Sequence, residues 1–261
     1  MRIVLTNDDG PFAPGVGVLR TALAELGEVT VVCPAGEQSG VSHSITYIIP
    51  VRAHEVRLTD GGEATIVTGT PADCVKFALL QLLDGSPDLI VSGPNMGINA
   101  GIDVFYSGTV AAAIEGGLHG IRSAAFSCSR RNAGQMQAVA EQVVRVLSRL
   151  LQSWPEPEVV FNVNVPHLGD GEPGLAFTEQ STSFPRGSYS AMQDAHGRTH
   201  YWLDSTAGDD PAAPGSDVAA VEAGDISVTP FRLNLTHAEV LRELRANESR
   251  RASEEGPVEK K

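Results

Sequence analysis

The sequence predicts an α/β fold in which helices cover both faces of a mainly parallel sheet. Short apolar segments alternate with longer amphipathic ones over residues 1–178, which is typical of parallel strands joined by helices. Polar turn residues follow the apolar segments directly. Beyond residue 178 the alternation stops, and the chain becomes rich in Gly, Ser, Asp and Pro. We therefore expect a three-layer core followed by a hairpin arm and a final helix.

The strands of the core are predicted from apolar runs that end at turn residues. The first, residues 3–6, stops at the polar turn Asn7-Asp8-Asp9-Gly10, and the second, residues 29–33, stops at Pro34. Residues 41–68 are predicted to be extended. The remaining predicted strands are residues 88–92, 124–126 and 159–163.

The helices are predicted from apolar spacing and from terminal signals. The first carries leucines at helical spacing and is followed by Gly27. In the second, Thr70 can cap, Pro71 suits the first helical position, and Asp73 lies near the positive end of the helix dipole. The predicted helices span residues 16–26, 70–83, 107–120 and 135–151.

The C-terminal third is predicted to be an arm rather than part of the alternating core. Residues 183–217 suit a hairpin around the apolar cluster 201–203, residues 226–229 a strand, and Thr236 the start of the last helix. Residues 250–261 are polar and are expected to fray. The predicted parts are a core at 1–178, an arm with a returning strand at 179–235, and a helix with a tail at 236–261.

Composition excludes several classes of function. The net charge is −13, from 19 basic and 32 acidic residues, so most of the surface repels extended nucleic acid. Cys33, Cys74 and Cys128 are widely spaced, which favours packed thiols in a reducing compartment. No apolar run approaches the roughly 18 residues of a membrane helix, and Asp8 comes too early for a signal peptide. We expect a soluble cytoplasmic protein without a membrane partner.

Two adjacent carboxylates, Asp8 and Asp9, follow the first predicted strand. Like charges repel, so a cleft that keeps both ionised favours a bound cation, and hard oxygen ligands suit Mg²⁺ or Mn²⁺. Ligands of parallel sheets bind beyond the carboxyl ends of the strands, which favours a metal site here. The alternative is a simple turn, because Asn-Asp-Asp-Gly is also good turn chemistry.

Three further segments are candidates for the same site. Ser39 and Gly40 lie in the loop after the second strand, and Asn95 follows the strand at 88–92 in a glycine-rich stretch. Their oxygens could complete a metal shell, although Ser39 taken alone better suits a flexible loop, and Asn95 also suits an ordinary turn. Residues 107–109, Ser-Gly-Thr, open a helix and could seat a phosphate with backbone N–H groups and hydroxyls, or simply cap the helix.

Taken in order, these segments closely resemble the SurE family of stationary-phase survival nucleotidases, over residues 1 to about 236. Each motif alone is weakly to moderately specific, but their order is highly specific. Pro94 departs from the aliphatic residue expected before the metal asparagine, and Ile98 from the usual proline of Gly-Pro-Asn. The matching motifs are IVLTNDDG at 3–10, QSG at 38–40, GTPADCV at 69–75, Ser92-Gly93 with Asn95, DVFYSGTVAAA at 103–113, NVNVP at 162–166, and segments within 216–230.

The resemblance implies a Rossmann-like core and a metal-dependent phosphomonoesterase acting on nucleoside 5′- and 3′-monophosphates, with short polyphosphate as a further candidate substrate. It implies one divalent ion per subunit, Mg²⁺ or Mn²⁺, and homodimers or homotetramers that exchange the C-terminal arm. Either Asp8 or Asp9 is expected to accept a proton from the attacking water. The implied metal ligands are Asp8, Asp9, Ser39 and Asn95, and the implied phosphate contacts are Asn7, Gly40, Asn99, Ser107, Gly108 and Thr109.

A regulatory receiver-like module is the alternative from another class, since it also binds Mg²⁺ at an acidic pair after the first strand. Such a module needs a phosphate-accepting Asp at the end of its central strand, and residues 92–95 offer none. The chain is also about twice the length that such a module needs.

Overall fold

Nine strands form one mostly parallel sheet. The structure, a computed structural model, describes residues 1–183, 187–205 and 212–254. Its strands are β1 (Arg2–Thr6), β2 (Glu28–Pro34), β3 (Ala53–Arg57), β4 (Glu63–Val67), β5 (Leu89–Met96), β6 (Arg122–Cys128), β7 (Val160–Val165), β8 (Leu175–Phe177), β9 (Gly187–Gln193), β10 (Thr199–Ser205) and β11 (Ile226–Phe231). The sheet order is β3-β4-β2-β1-β5-β6-β7-β11-β8. The pairs β3–β4 and β11–β7 are antiparallel, and the other pairs of this sheet are parallel.

The helices cover both faces of this sheet. They are α1 (Pro14–Leu23), α2 (Pro71–Phe77), α3 (Gly108–Leu118), α4 (Met136–Leu151), α5 (Asp217–Glu222) and α6 (Ala238–Glu254). Helices α1 and α4 pack together on one face, while α2 and α3 pack together on the other. The predicted three-layer α/β fold is therefore confirmed.

Alternation along β1 shows how the sequence builds these layers. Ile3 and Leu5 belong to the core under α1 and α4, whereas Val4 belongs to the core under α2 and α3. All three side chains are buried because β1 lies between β2 and β5 at the centre of the sheet. A strand buried on both faces needs a continuous apolar run, which is the pattern that predicted it.

Several predicted boundaries shift for local reasons. Helix α1 begins at Pro14 and ends at Leu23, so the predicted helix at 16–26 started late and ended late. Gly27 packs against the backbone of Met1, where a Cβ would collide with the Met1 carbonyl. The chain has therefore left the helix before it reaches residue 27. Helix α2 has the predicted cap at Thr70, which also forms a capping box with Asp73, and the helix continues through a π-helical turn to Leu82.

The C-terminal part contains the predicted hairpin and returning strand. Strands β9 and β10 pair as an antiparallel sheet of their own, and β11 enters the main sheet between β7 and β8. Residues 184–186 and 206–211 of the predicted arm lie outside the described residues. The division into core, arm and terminal helix stays a prediction.

Three features of the C-terminal part were missed or misplaced. Strand β8 and helix α5 are too short to give a periodic signal, although Ser216 caps α5 by accepting the Ala219 N–H. Helix α6 begins at Ala238 rather than Thr236 and runs to Glu254, so residues 250–254 continue the helix, and the fraying expected of them stays a prediction. Residues 255–261 lie outside the described chain.

None of the described helices is both long and apolar enough to cross a membrane. The cytoplasmic location and the absence of a nucleic-acid partner stay predictions.

Candidate functional site

The carboxyl ends of β1, β2 and β5 meet at one edge of the sheet, together with the start of α3. Two hydrogen bonds converge on Asp8 there: the Gln38 N–H donates to its backbone oxygen at 2.7 Å, and Thr109 Oγ1 donates to its Oδ1 at 2.5 Å. The structure thus brings together the acidic turn, the loop after β2 and the N-terminus of α3, which lie far apart in sequence.

Asp8 is a buried carboxyl group, with 5% of its surface exposed. Burial raises its pKa from 3.8 to about 6, the hydrogen bond from Thr109 opposes that rise, and the charge of Asp9 adds to it. Ionised Asp8 therefore lies in surroundings that disfavour negative charge, and a cation beside it would relieve that disfavour.

The start of α3 approaches Asp8 closely because residue 108 is glycine. A Cβ on Gly108 would lie 3.1 Å from the Asp8 Cβ and 3.1 Å from Pro71 Cγ. Ser107 is the N-cap of α3 and accepts the Val110 N–H through its Oγ at 3.1 Å. The hydroxyls of Ser107 and Thr109 thus both have intramolecular partners, so any contact that they make to phosphate comes in addition to these bonds.

Asp9 is partly exposed and faces an open cavity of about 430 Å³, which is also lined by Phe12, Glu37 and Met96. Burial is the main reason that its pKa is raised, and the charge of Glu37 adds to the effect. A backbone hydrogen bond from Met96 and the charge of Arg130 oppose it. Asp9 is accordingly the carboxylate of the pair with access to water.

Asn95 lies within β5 rather than after it, and a bulge positions it. Ser92 pairs with Ala125 but Asn95 pairs with Ser127, so β5 contains one residue more than β6 across this stretch. Gly93 has a φ of +123°, and a Cβ there would collide with a β6 carbonyl oxygen. Asn95 Nδ2 donates to the Gly97 carbonyl at 2.8 Å, which leaves its Oδ1 as the atom suited to a cation.

Ser39 and Gly40 lie in the exposed loop after β2. Ser39 Oγ donates to Glu37 Oε1 at 2.7 Å, so the structure pairs this hydroxyl with a neighbouring side chain rather than with Asp8 or Asp9. Gly40 has a φ of +72°, which favours glycine. The loop is anchored on both sides of Ser39, by Gln38 to Asp8 and by Ser42, whose N–H and Oγ donate to carbonyls before α3.

The two remaining asparagines of the predicted site differ in the hydrogen bonds that they already make within the protein. Asn7 is fully buried, its Nδ2 donates to the Gly10 carbonyl at 2.8 Å, and its Oδ1 has no partner among the described residues. Asn99 belongs to a polar network with β6 and β7: its Nδ2 donates to Ser127 and its carbonyl accepts from Asn162. That network holds Asn99 to the sheet, whereas Asn7 carries an uncommitted oxygen beside the acidic pair.

Arg130 is a functional candidate that sequence reasoning missed. It follows β6 at the same edge of the sheet, in a short 3₁₀ turn. The sequence did contain a signal for Arg130, since a basic residue directly after a strand of a parallel sheet lies at the ligand-binding edge. The side chain of Arg130 lies beside Gly97, just past the bulge in β5, and the sequence does not reveal that bulge.

A second charged cluster lies further along α3. Glu115 accepts from Lys76 Nζ at 2.9 Å and pairs with His43 Nε2 at 2.8 Å and His119 Nε2 at 3.2 Å. Burial raises the pKa of Glu115, but the bonds from His43 and Lys76 outweigh it and lower the pKa to about 2. Because His43 lies in the loop after β2, this cluster ties that loop to α2 and α3.

Few side chains at this edge of the sheet could bind a cation, and they combine carboxylates with neutral oxygens. No three His, Cys, Asp or Glu side chains converge on one point in the described parts of the chain. A cation held here would therefore rely on the Asp8–Asp9 pair with neutral oxygens, as the sequence predicted.

Fold and site together define a Rossmann-like α/β protein with an acidic, oxygen-rich centre at the carboxyl edge of its sheet. The family described as Survival protein SurE matches residues 3–186, and the chain belongs to that SurE family. Proteins named 5′-nucleotidase SurE are similar along almost the whole chain. The one from Chloroflexus aggregans is 41% identical over 94% of this chain and 98% of its own, and the one from Syntrophobacter fumaroxidans is 43% identical over 92% and 97%.

The fold agrees with a solved structure of the same family. The crystal structure of the SurE protein from Aquifex aeolicus superposes with a TM-score of 0.81 at 36% identity, covering 95% of this chain and all of that one. The resemblance inferred from the motifs is thereby confirmed over most of the chain.

Proposed function

We propose that the protein is a divalent-metal-dependent phosphomonoesterase that hydrolyses nucleoside 5′-monophosphates, with 3′-monophosphates and short polyphosphate as further substrates. The observation that carries this proposal is the buried Asp8 beside the accessible Asp9. They lie at the ligand edge of a chain that is 41–43% identical to proteins named 5′-nucleotidase SurE.

The side chains present fit a hard cation such as Mg²⁺ or Mn²⁺. Asp8 and Asp9 would supply the charge, and Asn95 and Ser39 would supply neutral oxygens. The Oδ1 of Asn7, which has no hydrogen-bond partner among the described residues, is a further oxygen next to the pair in sequence. When bound, the ion would act as a Lewis acid on the phosphate.

The chain itself orients the reacting groups. Thr109 holds Asp8 in one position, and Gly108 lets the N-terminus of α3 reach the acidic turn, where the helix dipole favours an anion. Asp9 faces the open cavity and its pKa is raised, so we assign it the role of accepting a proton from the attacking water. Asp8, buried and bonded to Thr109, is the positioning partner.

A phosphate-release panel tests the function. Chelated protein is incubated with 5′- and 3′-nucleoside monophosphates and with tripolyphosphate, without metal and with Mg²⁺ or Mn²⁺. We expect steady release from the 5′-monophosphates only when metal is added. Equal release with chelator present would refute the metal dependence, and no release from any nucleotide would refute the activity.

The receiver-like alternative is decided in the same experiment with a small phosphodonor such as acetyl phosphate. Steady turnover supports the enzyme, whereas lasting labelling of the protein would support the receiver. The nine-stranded sheet already argues against the receiver, because the doubly wound order 2-1-3-4-5 of such modules has five strands.

We also propose a homodimer or homotetramer that uses the β9–β10 hairpin. The hairpin is a sheet of its own and exposes large apolar side chains, which usually require a partner surface. An arm of this kind can be exchanged between identical subunits. We expect light scattering to show an oligomer at micromolar concentration and deletion of residues 187–205 to give a folded monomer. A full-length monomer would contradict this. The exposed side chains are Tyr189, Met192, Tyr201, Trp202 and Leu203.

A further inference from the structure

The guanidinium of Arg130 lies beside the acidic pair. Its Nε and Nη2 are 3.6 and 3.7 Å from the point where a Cβ on Gly97 would lie, and Asn95 Nδ2 is 3.5 Å from the same point. Arg130 and Asn95 therefore flank Gly97. Met96, the residue between Asn95 and Gly97, lines the same cavity as Asp9. Arg130 thus lies close to the segment that carries Asn95, one of the side chains assigned to the metal.

The part of the chain that the structure describes offers no side-chain partner that would explain this position of Arg130. Its side chain is exposed, and among the described residues its guanidinium makes neither a hydrogen bond nor an ion pair within 4.0 Å. The backbone that carries it is ordered by other contacts: Ser129 caps the turn, and Asn132 is fully buried and donates to the Pro166 carbonyl. A fixed turn thus presents a charged group with unused donors at the ligand edge.

An anionic ligand suits the donors of Arg130. The guanidinium lies beside Gly97, while the preceding residue, Met96, lines an open cavity of about 430 Å³ together with Asp9. Arg130 and Asp9 do not form an ion pair within 4.0 Å, so Asp9 does not occupy the guanidinium. A guanidinium matches the oxygens of phosphate because its donors form a planar fork.

We propose that Arg130 binds the phosphoryl group of the substrate, donating to oxygens that face away from Asp8 and Asp9. This inference rests on the proposed function and adds to it a residue that contacts the transferred group. As charge develops on the phosphoryl oxygens, a guanidinium in this position strengthens its hydrogen bonds and so stabilises the transition state.

The neighbouring Arg131 provides a matched control. It is also exposed and belongs to the same turn, and its side chain makes no hydrogen bond or ion pair with the described residues. Arg130→Gln and Arg131→Gln remove the same charge from adjacent positions, and Arg130→Lys keeps the charge but loses the fork. Circular dichroism and thermal unfolding should show all three variants folded like the wild type.

The test compares the three variants in two measurements with Mn²⁺ present. For hydrolysis of adenosine 5′-monophosphate, Arg130→Gln should lower kcat/KM by about 10- to 100-fold, Arg130→Lys by less, and Arg131→Gln by no more than about 2-fold. Titration calorimetry with inorganic phosphate should show about 10-fold weaker binding to Arg130→Gln and unchanged binding to Arg131→Gln.

A metal titration separates contact with phosphate from an indirect effect on the acidic pair. Removing a cation beside the pair should leave the half-saturating Mn²⁺ concentration unchanged or lower it. If excess Mn²⁺ restored Arg130→Gln to wild-type activity, Arg130 would act through the metal site and the inference would be wrong. Unchanged kcat/KM and phosphate binding in Arg130→Gln would also overturn it. If the wild type released no phosphate from any nucleotide, the proposed function would fail, while the phosphate-binding comparison would still decide whether Arg130 binds phosphate.

Discussion

Replacing Asp8 by Asn should make the metal-free protein more stable while it removes activity. The pKa of Asp8 is about 6 in the fold against an ordinary 3.8. At about 1.36 kcal/mol per pKa unit, the ionised side chain lowers the free energy of unfolding by about 3 kcal/mol at pH 8. Asn keeps the shape and can still accept from Thr109, so Asp8→Asn should recover most of that energy. For a chain of this size the gain corresponds to roughly 5–10 °C in Tm.

The sign of the pH dependence makes this prediction specific. A carboxyl group with a raised pKa binds its proton more tightly in the folded state, so the wild type loses stability as pH rises from about 4 to 6. In the presence of chelator, the Tm advantage of Asp8→Asn should therefore be full at pH 8 and fade towards pH 4. Added Mg²⁺ or Mn²⁺ should stabilise the wild type much more than the variant.

The assay combines thermal unfolding in chelator at both pH values with phosphate release in saturating metal. We expect Asp8→Asn to lose activity by orders of magnitude, because the ligand charge is gone. Near-normal turnover of the folded variant would refute its role as a ligand. A variant less stable than the wild type in chelator at pH 8 would refute the electrostatic reasoning.

Two other substitutions test the contacts around α3. Thr109→Val removes the hydroxyl that holds Asp8 and should lower kcat/KM by about 10- to 100-fold, or about 1.4–2.7 kcal/mol, with Thr109→Ser close to wild type; equal activity of both variants would contradict this. Glu115→Gln should lower the free energy of unfolding by about 2–3 kcal/mol at pH 7, because it disrupts the pairs with His43 and Lys76. The pKa of Glu115 is lowered from 4.5 to about 2, so the difference in the free energy of unfolding between variant and wild type should shrink as pH falls from 4.5 towards 2. Urea unfolding that shows the same difference across this pH range would disprove the role of the Glu115 charge.

The fold could be predicted from the sequence because its signals are local. Val4 and its neighbours form an uninterrupted apolar run, and Thr70, Pro71 and Asp73 form a helix start that the structure reproduces as a capping box. Such signals need only neighbouring residues. The acidic turn after β1 was predictable for the same reason, since its position follows from where the strand ends.

The inner geometry of the site could not be predicted, because it depends on register between distant segments. The contact of Asn99 with phosphate stays a prediction, but the side chains of β7 also hold Asn99 to the sheet, and only the pairing of β6 with β7 reveals this. Thr109 was expected to face the substrate, and its bond to Asp8 spans 101 residues of sequence. Arg130 lies beside Gly97, just past a bulge in β5 that β6 lacks, and the sequence does not reveal that bulge.

The charge balance of the edge explains why an acidic protein would place an arginine there. The molecule carries a net charge of −13, and Glu37 adds to the negative potential at Asp9. A divalent ion would only neutralise the two carboxylates of the pair, which leaves little attraction for a phosphate dianion. The α3 N-terminus contributes roughly half an elementary charge, and Arg130 contributes a whole one within reach of the same edge. We therefore expect the ion, the helix N-terminus and the guanidinium to attract an anionic substrate together, so that each of them affects binding as well as turnover.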